Sequence, residues 1–169
     1  KKVIAIIGPS GSGKTELSIY MKENFGINVV CSYTTRPMRE GETNGREHIF
    51  VSEADMPDKS EMIAYTEFGG YKYWATKEQI ESDVTLYVID EDGYFNLKET
   101  LNDVDIDVVY ISRDDIDVDL ERRQRDINRK HIDREEISLY IENDYPTLDR
   151  FLFEASGKII KHLLYASNK

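Results

Sequence analysis

The chain has almost no cysteine, no long apolar run and too few basic residues to balance its acids. A single cysteine, Cys31, rules out an internal disulfide and fits a reducing compartment. No stretch reaches the roughly 18 consecutive apolar residues that a membrane span requires, so no membrane segment is expected. The first residues enter an apolar, β-branched run without the apolar segment and small-residue cleavage site of a signal peptide. The expected location is therefore the cytoplasm. Lys and Arg number 22 against 33 Asp and Glu, a formal net charge of −11. That balance argues against unspecific binding to nucleic acid or to an anionic membrane. Internal repeats and low-complexity linkers are also missing, and 169 residues suit one domain with a full core.

The charge that is present is unevenly placed. Residues 103–121 are acidic, from Asp103 to Glu121, and residues 122–134 hold Arg122, Arg123, Arg125, Arg129, Lys130 and Arg134. Taken alone, the basic block reads as a solvated helix face paired with neighbouring acids. Short apolar runs at 3–7, 28–32, 84–89 and 108–111 read as buried parallel strands. Helical patterns are predicted over 14–24, 93–101, 118–143 (interrupted near Asn128) and 158–165. This alternation predicts an α/β fold, a parallel sheet flanked by helices. Residues 33–83 lack helical periodicity and read as a mixed insertion with short strands at 48–51, 62–66 and 68–75. Thr76 and Gln79 resemble a capping box opening a short helix.

The first apolar run, VIAII, leads directly into GPSGSGKT, which satisfies the spacing Gly8-x4-Gly13-Lys14-Thr15. Glycines let the backbone wrap a phosphate with its N–H groups inward, and the helix that follows adds its positive end. Lys14 is expected to reach the β- and γ-phosphates and the Thr15 hydroxyl to ligate Mg²⁺. Strand before and helix after are the required context. Ser10, Gly11, Ser12, Gly13, Lys14 and Thr15 are thus the expected ATP-binding residues.

A phosphate loop alone does not separate an ATPase, a GTPase and a kinase. The next segment, SYTTRPMREGETNGREHIFVS, holds Ser32, Thr34, Thr35, Arg36, Arg39, Gly41, Glu42 and Gly45 in register with S-x-T-T-R-x-x-R-x-G-E-x-x-G. It resembles the guanylate kinase signature, and with GPSGSGKT the resemblance is strong over residues 3–93. Two arginines three apart suit a dianionic phosphate, because guanidinium groups bind phosphate oxygens in pairs. The resemblance implies that Arg36 and Arg39 hold the acceptor phosphate and that Ser32 touches the base. His48 stands where the family has a phosphate-binding tyrosine, which makes that contact sensitive to pH. Ala64 stands at the family's base-reading glutamate, with Glu67 three residues on as a substitute. Tyr73 matches a tyrosine contacting phosphate or base, or is a packing tyrosine. Asp90, in VIDEDG, matches an aspartate that helps recognise guanine, or it simply starts a turn.

LERRQRDINRKHIDREEI resembles the family's lid, so Arg122, Arg123, Arg125 and Arg129 acquire a second reading as phosphate-neutralising residues. The resemblance implies a single P-loop kinase domain over 1–169. Its core would be about 1–32 and 84–169, its acceptor-binding insertion about 33–83 and its lid about 120–137. It implies transfer of the ATP γ-phosphate to a nucleoside monophosphate, GMP or dGMP first. Lys14, Arg36, Arg122 and Arg125 would be catalytic, Mg²⁺ the cofactor, and ATP and the nucleotide the partners. Two alternatives stay open: a kinase with another phosphorylated acceptor, which Ala64 would suit, and a protein-binding module without catalysis.

Overall fold

The computed structural model describes residues 1–113 and 132–167. In chain order the first elements are β1 (Lys2–Ile7), α1 (Lys14–Phe25), β2 (Asn28–Val29), β3 (Tyr33–Thr34), β4 (Ile49–Phe50), β5 (Met62–Phe68) and β6 (Tyr71–Thr76). There follow β7 (Val84–Val88), α2 (Glu91–Thr100), β8 (Asp105–Ser112), β9 (Leu139–Glu142) and α3 (Leu148–Ser167).

One sheet has the order β2-β7-β1-β8-β9, and all of its pairings are parallel. β1 is its centre, and its residues Val3, Ile4, Ala5, Ile6 and Ile7 are wholly buried. A strand's side chains alternate between faces, so a centre strand must be apolar on both. Val3, Ala5 and Ile7 join Tyr94 and Leu97 of α2 on one face. Ile4 and Ile6 join Leu17 and Met21 of α1, and Phe151, Ala155 and Ile159 of α3, on the other. Each fully buried aliphatic chain contributes about 1.5–3 kcal/mol. From β1 the chain passes to β2 on one side. After β7 it crosses through α2 to β8 on the other side. The crevice beyond the carboxyl ends of such strands is where an α/β sheet takes ligands.

Residues between β2 and β7 build a second, four-stranded sheet of order β4-β3-β6-β5. Its β5–β6 ladder pairs Ile63 with Ala75 and then Thr66 with Tyr73, so Ala64 and Tyr65 together oppose Trp74. Ala64 takes φ 55°, a left-handed conformation rarely adopted by a residue with a Cβ. The Tyr65 N–H freed by this bulge donates to Asn96 Oδ1 at 3.1 Å, which ties the second sheet to α2.

Several boundaries differ from the sequence pattern, and one element differs in kind. The 28–32 strand shortens to Asn28–Val29, because the chain turns away to start the second sheet. α2 begins at Glu91 because Asp90 caps it, its Oδ1 accepting from the Gly93 N–H at 2.7 Å. α3 starts at Leu148 rather than 158. The helix predicted over 118–143 lies partly outside the described residues, and its last part is β9 instead. Ile141 is wholly buried on β8, while Tyr140 stacks on Tyr110 across the pair at 5.7 Å. Packing against β8 overrides the helical pattern of the charged segment before it. Thr76 and Gln79 do form a capping box, on a short 3-10 turn over Lys77–Ile80.

Candidate active site

The loop after β1 approaches its surroundings closely. A Cβ on Gly8 would lie 2.1 Å from the Ile111 carbonyl oxygen. Gly13 takes φ 99°, and a Cβ there would sit 2.6 Å from the Phe151 ring. Only glycine meets both demands. α1 starts immediately afterwards, so the positive end of its dipole faces the loop. The Lys14 ammonium donates to the carbonyl oxygens of Gly8 and Pro9 at 2.7 and 2.8 Å. Thr15 is exposed on the same rim.

A cavity of about 870 Å³ runs from this loop to the second sheet. Ser10, Gly11, Gly13, Lys14 and Thr15 line its one end. Ser32, Arg36, Arg39, His48, Tyr73 and Asp90 line the rest. Residues far apart in sequence are therefore brought to one space. Two expected residues are not. Ser12 is wholly buried behind the loop. Glu67 does not line the cavity. Thr66 and Phe68 do, and Glu67 between them points to the opposite face of β5, where it accepts from the Tyr65 hydroxyl. Period-two alternation thus corrects its assignment as a base reader. Arg122, Arg123, Arg125 and Arg129 lie outside the described residues.

The arginine pair is set by a carboxylate that sequence reasoning named without giving it a role. Glu42 accepts from Arg36 Nη1 and Nη2, both at 2.8 Å, and from the Arg39 backbone N–H at 2.7 Å. The paired Arg36 hydrogen bonds hold the Glu42 carboxyl down at about 2, against the cost of its burial. The same bonds push the buried Arg36 guanidinium up. Arg36 also lies over the Phe50 ring, 5.5 Å from its centroid. A charged, forked donor is thereby fixed at the cavity wall rather than left to sample rotamers. The signal was in the sequence: a glutamate three residues after Arg39, inside the same turn.

His48 sits beside this pair, its Nδ1 2.9 Å from Ser32 Oγ. Its ring packs at 5.9 Å against Phe50 and 5.7 Å against Tyr73. Burial, and then the Arg36 charge, lower its pKa below the usual histidine range, while the nearby Glu42 and Glu47 carboxylates work against that shift. Asp90 serves two ends at once: it caps α2 and lines the cavity. Ala64 also lines the cavity, 3 % exposed.

Among the described residues no group of three or more His, Cys, Asp and Glu is arranged to hold a metal ion. A Mg²⁺ carried by a nucleotide does not need such a cage, since phosphates and water supply most of its ligands. The exposed Thr15 hydroxyl beside Lys14 fits that role. No described helix is long and apolar enough to cross a membrane.

Asn143, Arg113 and Phe151 reach the phosphate loop from behind, and none was foreseen as a site residue. Asn143 Nδ2 donates to the Ser12 carbonyl at 2.9 Å, and Arg113 Nη1 to that of Gly11 at 3.3 Å. The helix pattern assigned to 118–143 conceals Asn143, which leaves the end of a strand.

Comparison with known proteins bears on the family and the fold. The family model described as guanylate kinase matches residues 1–145. The chain is 30 % identical over 175 residues to a guanylate kinase of Nitrobacter winogradskyi, covering 93 % of this chain and 79 % of that one. It is 30 % identical over 183 residues to a guanylate kinase of Malacoplasma penetrans, covering 97 % and 92 %. The crystal structure of guanylate kinase from Anaplasma phagocytophilum matches with a TM-score of 0.62 at 20 % identity, over 94 % of this chain and 84 % of that one. That last likeness bears on the fold, a P-loop kinase fold.

Proposed function

Since the chain belongs to the guanylate kinase family, we propose that it moves the γ-phosphoryl group of Mg·ATP onto the 5′-phosphate of GMP or dGMP, yielding two diphosphates. The observation that carries this reading is a single cavity lined both by Lys14 and Thr15 and by the Arg36–Arg39 pair. A phosphoryl transferase needs donor and acceptor phosphates end to end, and such transfer is catalysed mainly by positioning and charge neutralisation.

Lys14 neutralises the β- and γ-phosphates of the donor. Arg36 and Arg39, with His48 and Tyr73, hold the acceptor phosphate, and Glu42 keeps Arg36 aimed. The acceptor is already an anionic nucleophile, so no side-chain base is required. Ser32 and Asp90 face the base. Thr15 would help to hold the Mg²⁺ that accompanies the nucleotide, and that ion would supply charge stabilisation to the transferring group. Arg122 and Arg125 are proposed as lid residues that complete the charge balance. The core about 1–32 and 84–169 then carries the donor, and the insertion about 33–83 the acceptor.

One observation favours a second reading. The buried Ala64 occupies the bulge at the cavity wall, and Glu67 faces away, so β5 offers no carboxylate to a guanine edge. A kinase of this fold with another phosphorylated acceptor would look like this. ADP release from Mg·ATP with GMP, dGMP, AMP, CMP, UMP, dTMP and a phosphorylated ribose decides between them. Fastest turnover with GMP or dGMP supports the first reading. Fastest turnover with another acceptor supports the second. ATP that fails to bind at all points to a protein-binding module.

A further inference from the structure

We propose that Asn143 is a positioning residue for the phosphate loop: it holds the Ser12–Gly13 peptide so that the Gly13 N–H faces the donor phosphates. The proposal rests on the reading that residues 8–15 bind those phosphates.

Asn143 is buried at the exit of β9. Its own backbone N–H donates to the Ser112 carbonyl at 2.7 Å, which fixes it beside the end of β8. Its side-chain amide then crosses to the Ser12 carbonyl at 2.9 Å, a buried bond between residues 131 apart in sequence. A trans peptide is planar, with its C=O and N–H pointing in opposite directions. Gripping the Ser12 oxygen from behind therefore turns the Gly13 N–H to the other side. Ser12 is wholly buried, whereas Gly13 lines the cavity. The other side is thus the ligand side.

Two neighbours support the same loop. Arg113 holds the preceding carbonyl, that of Gly11, and the Phe151 ring fills the space behind Gly13. Gly13, at φ 99°, has wide backbone freedom by itself, so the direction of its N–H has to be imposed from outside. A preorganised N–H is worth more to an anion than one that must reorient on binding.

The test compares wild-type protein with Asn143→Asp and Asn143→Ala. The first keeps the size but replaces the donating amine with an oxygen facing the Ser12 carbonyl. The second removes the donor without adding charge. Calorimetry measures the affinity for inorganic tripolyphosphate, which has no adenine, and separately for GMP. Kinetics give the ATP KM. The expected result is a loss of tripolyphosphate affinity and a rise in ATP KM of roughly tenfold or more. GMP affinity should be unchanged, and Asp should be worse than Ala. Unchanged tripolyphosphate binding overturns the proposal, and so does a parallel loss of GMP binding, which marks a general structural role. In wild-type protein the Gly13 amide proton should move downfield as tripolyphosphate is added. A Gly13 amide that stays still while binding is measured overturns the proposal without any variant. Wild-type protein that binds no tripolyphosphate fails the phosphate-loop reading instead.

Discussion

Glu42 accepts from the Arg36 guanidinium and from the Arg39 backbone N–H, and its ionisation gives that arrangement a signature in pH. Its folded pKa of about 2 lies below the 4.5 of the free side chain. A depressed acid adds stability that is fully present above the unfolded value and is lost as pH falls through the folded one. The stability difference between wild type and Glu42→Gln should therefore be at its full value at pH 5 and above and shrink as pH falls toward 2. Urea unfolding of both proteins across that range checks this, and a difference independent of pH contradicts it. The same variant should raise the acceptor KM by about tenfold, the scale of a mispositioned charge-assisted contact, while the ATP KM holds. At this scale the sequence was informative wherever a residue acts locally. Lys14 was singled out by the spacing of the glycine-rich loop and Arg36 and Arg39 by the family resemblance, and all three line the one cavity. Glu67 was not legible, because a bulge and the two-residue alternation of β5 decide which face a side chain takes.

Among the elements, β1 and the loop after it were the most legible, since a strand buried on both faces has few alternative sequences. β9 was the least legible. Its four residues follow a charged, helix-like segment, and only the partner strand β8 makes them a strand. The consequence reaches the site, because the end of β9 delivers Asn143 to the phosphate loop. α3 matters in the same way: Phe151 in its first turn packs where Gly13 lacks a side chain. Gly13→Ala should therefore lose stability and donor binding together. The left-handed backbone costs about 1–2 kcal/mol, and the methyl group must also displace a buried ring. Urea unfolding with ATP titration is the check. A variant as stable as wild type with normal ATP binding would contradict the packing described for this loop.

Considered whole, the molecule is two sheets sharing one cavity. The parallel sheet supplies the loop and Asp90, and the second sheet supplies the clamp, joined to α2 through Tyr65 and Asn96. The net charge of −11 is balanced at the cavity wall, where Lys14, Lys22, Arg36, Arg39 and Arg46 stand among Glu16, Glu23, Glu42, Glu47 and Asp90. A ligand that binds only the folded chain stabilises it by about 2.7 kcal/mol at a hundred times its Kd. For a chain of this size that raises Tm by on the order of 5–10 °C. Mg·ATP should give such a shift in wild type and little in Lys14→Ala, each read against that protein's own unliganded Tm, since the variant also loses the Lys14 bonds to the Gly8 and Pro9 carbonyls. Differential scanning fluorimetry reads both, and an equal shift in the two proteins would remove Lys14 from the donor site. The central claim is direct transfer between two nucleotides in one cavity. Its most direct test is to incubate the protein with Mg·ATP labelled at the γ-phosphate and with GMP, and to follow the label. Label appearing in GDP in step with ADP is the predicted result. Label appearing only as inorganic phosphate, or remaining in ATP while both nucleotides bind, would contradict it.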